Sequence, residues 1–179
     1  MSIRANIYLI GPMGSGKTAV GRALALRTGR EFLDTDQEIE RRTGVDIPYI
    51  FEKEGEARFR EREREVIEDL TQHDGIILAT GGGAILSEHN RRRLADTGIV
   101  VHLHTTVEEQ LKRTQWSANR PLLNAADPRA VLEQLRNQRQ PLYEQIAHYT
   151  FDTTTRRVKT VAAAITRQLE RDGHIALQS

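Results

Sequence analysis

The chain has no cysteine, which excludes a disulfide framework, a thiolate metal site and a cysteine nucleophile, and fits a reducing compartment. Long apolar runs are missing as well. No segment of the sequence approaches the roughly 18 consecutive apolar residues of a membrane span. "MSIRANIYLI" reaches a glycine loop before it builds the apolar stretch and small-residue cleavage site of a secretory signal. A cytoplasmic location is expected, with no membrane partner. An excess of one charge is also lacking: 26 basic residues face 25 acidic ones, for a net charge of +1, so bulk electrostatics do not draw the chain to nucleic acid. Lysine is scarce, with only Lys17, Lys53, Lys112 and Lys159. The other basic residues are arginines, whose planar forks suit carboxylates and phosphates.

What is present is an alternation of short β-type runs and longer helical segments. "NIYLI", "EFLD", "GIILAT", "IVVHLH" and "HYTFD" are the strands. Helices are expected over 17–28, within 36–72, over 87–95, from Val107, over 128–147 and from Val158. Such alternation predicts an α/β fold with a parallel sheet and helices on both faces. The 179 residues suit one domain spanning 1–179. "QWSANRPLLNAADP", residues 115–128, is polar, holds the only tryptophan and is long for a connection. It reads as a lid or as an ordinary surface excursion.

"GPMGSGKT", Gly11 to Thr18, lies between a strand and a helix and matches G-x-x-x-x-G-K-[ST] in full. Glycines let successive N–H groups turn toward phosphate oxygens, and the helix start adds partial positive charge. A nucleoside triphosphate, ATP, is expected there. Lys17 would bridge its β- and γ-phosphates, and the Thr18 hydroxyl would ligate Mg²⁺. Ligands of open parallel sheets gather at the carboxyl ends of strands. "EFLDTD" supplies two carboxylates at such an end: Asp34 for the metal and Asp36 as acceptor of a substrate proton. Against this, Thr35-x-x-Glu38 is a capping box, with Asp36 a favourable acid in a first helical turn. Gly81-Gly82-Gly83 is more flexibility than a turn requires and implies close backbone approach to a ligand.

His102 and His104 alternate on a strand and could share a sheet face, but no third metal ligand is evident. Arg91-Arg92-Arg93 reads as a solvated helix face. In "EARFREREREVIEDL", Phe59, Val66, Ile67 and Leu70 share one face of a helix whose charges pair at i,i+4, as Glu56 with Arg60.

"GPMGSGKT", "FLDTDQEIE", "IFEKEGEARFREREREVI", "ATGGGAIL", "RPLL" and "RQPLYEQIAHYTFDT" together, in this order, resemble the shikimate kinase family over nearly the whole chain. The resemblance implies a three-layer P-loop fold like that of nucleoside-monophosphate kinases: a five-stranded parallel sheet, flanking helices, a mobile lid at about 115–127 and a substrate-binding helical region at about 35–62. It implies Mg²⁺-dependent transfer of the ATP γ-phosphate to the 3-hydroxyl of shikimate, by a chain expected to be monomeric. Gly14, Ser15, Gly16, Lys17, Thr18 and Ala19 would hold the nucleotide, and Thr18 and Asp34 the metal. Asp36 would bind the shikimate hydroxyls and act as base. Arg60, Arg139, Gly82 and Gly83 would grip its carboxylate, with Glu63 orienting Arg60. Arg120 would swing onto the phosphates, Arg156 would lie near the nucleotide, and Arg113 would stack on adenine. Val158 stands where the family has a proline. Another P-loop kinase, such as a gluconate kinase, and a non-catalytic nucleotide switch are the alternatives. A GTP switch should carry N-K-x-D, which this sequence lacks.

Overall fold

A computed structural model describes residues 4–115 and 126–176. Five strands form one parallel sheet: β1 (Asn6–Ile10), β2 (Phe32–Asp34), β3 (Ile77–Ala79), β4 (Gly98–His104) and β5 (Tyr149–Asp152), in the order β2-β3-β1-β4-β5. Between and after them lie α1 (Lys17–Thr28), α2 (Thr35–Thr43), α3 (Ile47–Leu70), α4 (Glu88–Thr97), α5 (Val107–Thr114), α6 (Pro128–Ile146) and α7 (Val158–Arg171).

Strand periodicity sorts the core into two layers. Ile7 and Leu9 of β1 point to one face with Ile77, Ile99 and Val101, where α1 and α7 cover them through Val20, Leu24, Val161 and Ile165. Tyr8 and Ile10 point to the other face, beneath α2, α3, α4 and α6 through Ile39, Ile67, Leu94 and Tyr143. Because both faces are covered, β1 and β3 are apolar at nearly every position. The expected elements are all present, with boundaries moved by one or two residues.

Two local expectations change, and α3 carries a break. The side chain that caps α2 is Asp34, which accepts from the N–H groups of Asp36 (2.9 Å) and Gln37 (3.2 Å). Thr35 is already helical, and its hydroxyl accepts from Gly81 N (3.0 Å), so the Thr35–Glu38 capping box is not formed. The arginine triplet on α4 is only partly solvated: Arg91 donates to the carbonyls of Ile85 (2.9 Å) and Leu86 (3.2 Å), and Arg93 to Thr71 Oγ1 (2.7 Å). Finally, α3 is broken at Gly55, whose φ of 82° and ψ of 168° are not helical. The break re-aims the half that carries Arg60 and Glu63.

Every strand ends at the same edge of the sheet. The glycine loop follows β1, Asp34 ends β2, Gly81–Gly83 follow β3 and Thr153 follows β5. That edge is where the functional side chains meet.

Candidate active site

The loop before α1 turns by means of glycine. Gly14 and Gly16 have φ of 75° and 90°, a region that side chains with a Cβ seldom enter. Lys17 lies back along the loop, its Nζ donating to the carbonyls of Gly11 (2.6 Å) and Pro12 (2.9 Å). The Thr18 hydroxyl donates to Asp34 Oδ2 (2.9 Å), which joins the loop to the end of β2. A cleft of about 750 Å³ opens here. At one end it is walled by Arg113, Thr153 and Arg156 to Val158. It crosses Gly14 to Ala19, and at the other end it meets Asp34, Asp36, Gly81 and Gly82.

The far end is built around the three glycines. A Cβ at Gly81 would approach Glu63 Oε2 to 2.7 Å and Asp36 Oδ1 to 2.9 Å, and one at Gly83 would collide with the Arg60 guanidinium. The three consecutive glycines, from which close approach to a ligand is expected, are crowded in the structure by the side chains of Glu63, Asp36 and Arg60. Arg60 donates to Glu63 Oε1 (3.0 Å) and Glu56 Oε1 (3.2 Å). The i,i+4 pair exists, but its companion Glu63 is buried. Burial pushes the Glu63 carboxyl up, against the pull of the Arg60 charge. Arg139 of α6 is buried too, and an Nη1 of its fork lies 3.6 Å from the position of a Gly82 Cβ. Burial pulls the Arg139 guanidinium below its ordinary value; Tyr143 opposes this and the like charge of Arg60 adds to it. Two arginines from separate helices thus converge on one stretch of backbone, flanking Gly82 and Gly83.

At the other end, Arg113 is a clasp. It donates to Gly14 O (2.9 Å), Thr153 O (2.6 Å) and Thr154 O (3.2 Å), while its Nε donates to Glu109 Oε1 (3.0 Å). It fastens the glycine loop to the turn after β5, and with Arg156 it forms the wall of the cleft. Arg120 and Trp116 lie outside the described residues.

Among the described residues no group of three ligating His, Cys, Asp or Glu side chains exists, so the two histidines of β4 find no third partner there. His102 is buried and stacks on the Tyr143 ring at 5.1 Å between centroids. Tyr143 in turn donates to Gly82 O (2.6 Å). Nothing in the sequence marks Tyr143 as functional except its place one helical turn after Arg139. Among the described residues no helix is long and apolar enough to cross a membrane.

A glycine loop of the phosphate-binding pattern after β1, with Asp34 and Asp36 at the β2–α2 junction on the same cleft and Arg60 and Arg139 converging beside Gly82 and Gly83, is the layout of a P-loop kinase of small molecules. A sequence model described as "Shikimate kinase" matches residues 13–170. The shikimate kinase of Vibrio parahaemolyticus is 52% identical over 170 residues, 95% of this chain and 99% of that protein. Shikimate kinase 1 of Citrobacter koseri is 52% identical over 171 residues, again 95% and 99%. Among solved structures, shikimate kinase from Acinetobacter baumannii in complex with shikimate superposes with a TM-score of 0.93 at 51% identity, covering 96% of each chain. The chain belongs to the shikimate kinase family. It is an ATP-dependent kinase, a transferase, with the P-loop kinase fold expected from its sequence.

Proposed function

We propose that the chain transfers the γ-phosphate of ATP to the 3-hydroxyl of shikimate, with each step carried by the residues described above. The observation that supports this reading best is the continuity of the cleft, which runs from Arg113 and Arg156 across Lys17 and Thr18 to Asp36 and Gly82. A nucleotide and a small acceptor can therefore lie end to end.

Gly14, Ser15, Gly16 and Ala19 surround the phosphates with backbone N–H groups, and Arg113 and Arg156 flank the nucleoside. Lys17 exchanges the Gly11 and Pro12 carbonyls for phosphate oxygens and stabilises the charge that spreads over them during transfer. Asp36 accepts the proton of the attacking hydroxyl. Arg60 and Arg139 hold the acceptor carboxylate by planar, charge-assisted hydrogen bonds, joined by the N–H groups of Gly82 and Gly83. Glu63 holds Arg60 in place. Residues 115–127 serve as the lid that carries Arg120 onto the phosphates, and residues 35–62 as the acceptor-binding helical region. The protein works as a cytoplasmic monomer.

Thr18 and Asp34 suit Mg²⁺: both are hard oxygen donors, and their oxygens lie 2.9 Å apart beside the lysine. Thr18 and Asp34 would hold such an ion, and it would supply positive charge against the phosphates during transfer.

A panel of acceptors, with ADP release as the readout, tests the assignment. Shikimate should be the one that stimulates turnover; stimulation by gluconate instead, or by no acceptor, would overturn it.

A further inference from the structure

Arg139 and Tyr143 are four residues apart on α6 and so lie on one helical face. Both are buried, and both reach the same glycine: the Tyr143 hydroxyl donates to Gly82 O at 2.6 Å, and an Nη1 of the Arg139 fork lies 3.6 Å from where a Gly82 Cβ would stand. Pro141 stands between them inside the helix. Its missing N–H removes a backbone bond from that turn, which leaves side-chain contacts with more of the task of fixing this part of α6 on the loop.

A peptide unit is planar, and in its trans form the carbonyl and the following N–H point in opposite directions. Pinning Gly82 O therefore fixes the direction of Gly83 N–H. It points away from Tyr143, in a residue whose α-carbon is pressed against the Arg60 guanidinium. Ala84 N–H donates to Gly81 O (3.1 Å) and Gly81 N–H to Thr35 Oγ1 (3.0 Å), which closes the turn at its ends. With no Cβ on Gly82 or Gly83, the central Gly82–Gly83 peptide can still adopt either orientation within that turn. The Tyr143 ring is held from behind by His102, stacked at 5.1 Å with 21° between the planes. Burial pushes the phenol up to about 12, so the hydroxyl is a donor throughout the working pH range.

We propose that Tyr143, backed by His102, is a positioning residue for the acceptor carboxylate: its bond to the Gly82 carbonyl sets the Gly82–Gly83 peptide so that Gly83 N–H, Arg60 and Arg139 converge on one anion. The proposal rests on the carboxylate-clamp reading given above. It assigns Tyr143 no contact with substrate.

The test compares shikimate with its carboxamide analogue in wild type and Tyr143→Phe. Wild type should prefer the carboxylate. In Tyr143→Phe, which removes the bond to Gly82 O and the hydroxyl's interaction with Arg139, KM for shikimate should rise roughly 3- to 10-fold. KM for ATP should stay within about twofold, and the preference for carboxylate over carboxamide should shrink by the same factor. A loss of general stability alone would affect both acceptors equally, so an unchanged preference in Tyr143→Phe overturns the proposal while leaving the clamp intact. If wild type itself does not discriminate, the clamp reading fails and the proposal falls with it. Should Tyr143→Phe not fold, His102→Leu decides alone: it removes the ring behind Tyr143 and should weaken the preference in the same direction, and an unchanged preference there overturns the proposal.

Discussion

The Thr18 hydroxyl donates to one oxygen of Asp34 at 2.9 Å while the other oxygen of the same carboxylate caps α2. The glycine loop and the helix that carries Asp36 are thereby joined through a single side chain. Two substitutions separate its roles. Asp34→Asn keeps a capping oxygen but loses the charge, so folding stability should change little while the Mg²⁺ concentration needed for half-maximal activity rises. Asp34→Ala should also lose the cap, at about 0.5–2 kcal/mol of stability. Denaturant melts and Mg²⁺ titrations of both variants check this; equal stability of the two would show that the cap contributes nothing.

Asp36→Asn preserves shape and removes the proposed proton acceptor. Loss of a general base typically costs about 10²- to 10⁴-fold in rate, and the lower end is expected here because a loose phosphoryl-transfer transition state asks little of a base. Nucleotide affinity should be close to that of wild type. A kcat reduced by less than tenfold in the folded variant would leave Asp36 as merely an acid at a helix start.

Arg60→Ala and Arg139→Ala should each lower kcat/KM for shikimate by an equivalent of about 2–5 kcal/mol, the usual result of truncating one partner of a buried charge pair. Lysine at either position should not restore activity, because a point charge cannot reproduce the fork. The bland alternative for Arg60, an exposed ion pair worth at most about 1 kcal/mol, is weakened by the burial of Glu63. Steady-state kinetics with ATP saturating decide between them.

His102 supplies a pH test. Burial, then the charge of His104, lowers its ring to about 4, with Glu144 opposing and Lys17 adding to the shift. The unfolded chain binds the proton near pH 6.5, so between about 6.5 and 4 the unfolded state holds more protons and folding stability falls as pH falls. His102→Phe keeps the ring and removes the titration. Urea midpoints at pH 7 and 4.5 should drop less for the variant than for wild type, and parallel drops would exclude His102 as a source of acid lability.

How far these features could be read from the sequence varied with their range. The glycine loop, the Asp34-Thr35-Asp36 step and the triple glycine are contiguous, so their chemistry is visible in a single line of residues. The sheet was legible because its strands are short, apolar and separated by helical periods. Glu63 could have been marked as interior: it falls on the face of Phe59, Val66, Ile67 and Leu70, and those five are buried together. Its pattern is hidden by Glu61 and Glu65 on either side, and the kink at Gly55 that aims it is a matter of backbone geometry. The Thr18–Asp34 bond, the Arg113 clasp and the Tyr143–Gly82 bond span 16, 99 and 61 positions. Nothing in local spacing announces contacts of that length, and a resemblance to a family transfers residue roles without the packing that enforces them.

The three glycines after β3 also work as a gauge. Carboxylates crowd the position a side chain would take at Gly81, and a guanidinium crowds it at Gly83, so the step from one residue to the next but one runs from a negative bank to a positive one. On the proposed reading, a molecule that spans this step must offer a hydroxyl at one end and an anion at the other, separated by a small rigid body. Shorter hydroxy acids would reach only one bank at a time. The selectivity of the enzyme would then be a length measured in backbone, and a single methyl group added to the scale, at Gly81 or Gly83, would spoil the measurement before it touched the chemistry.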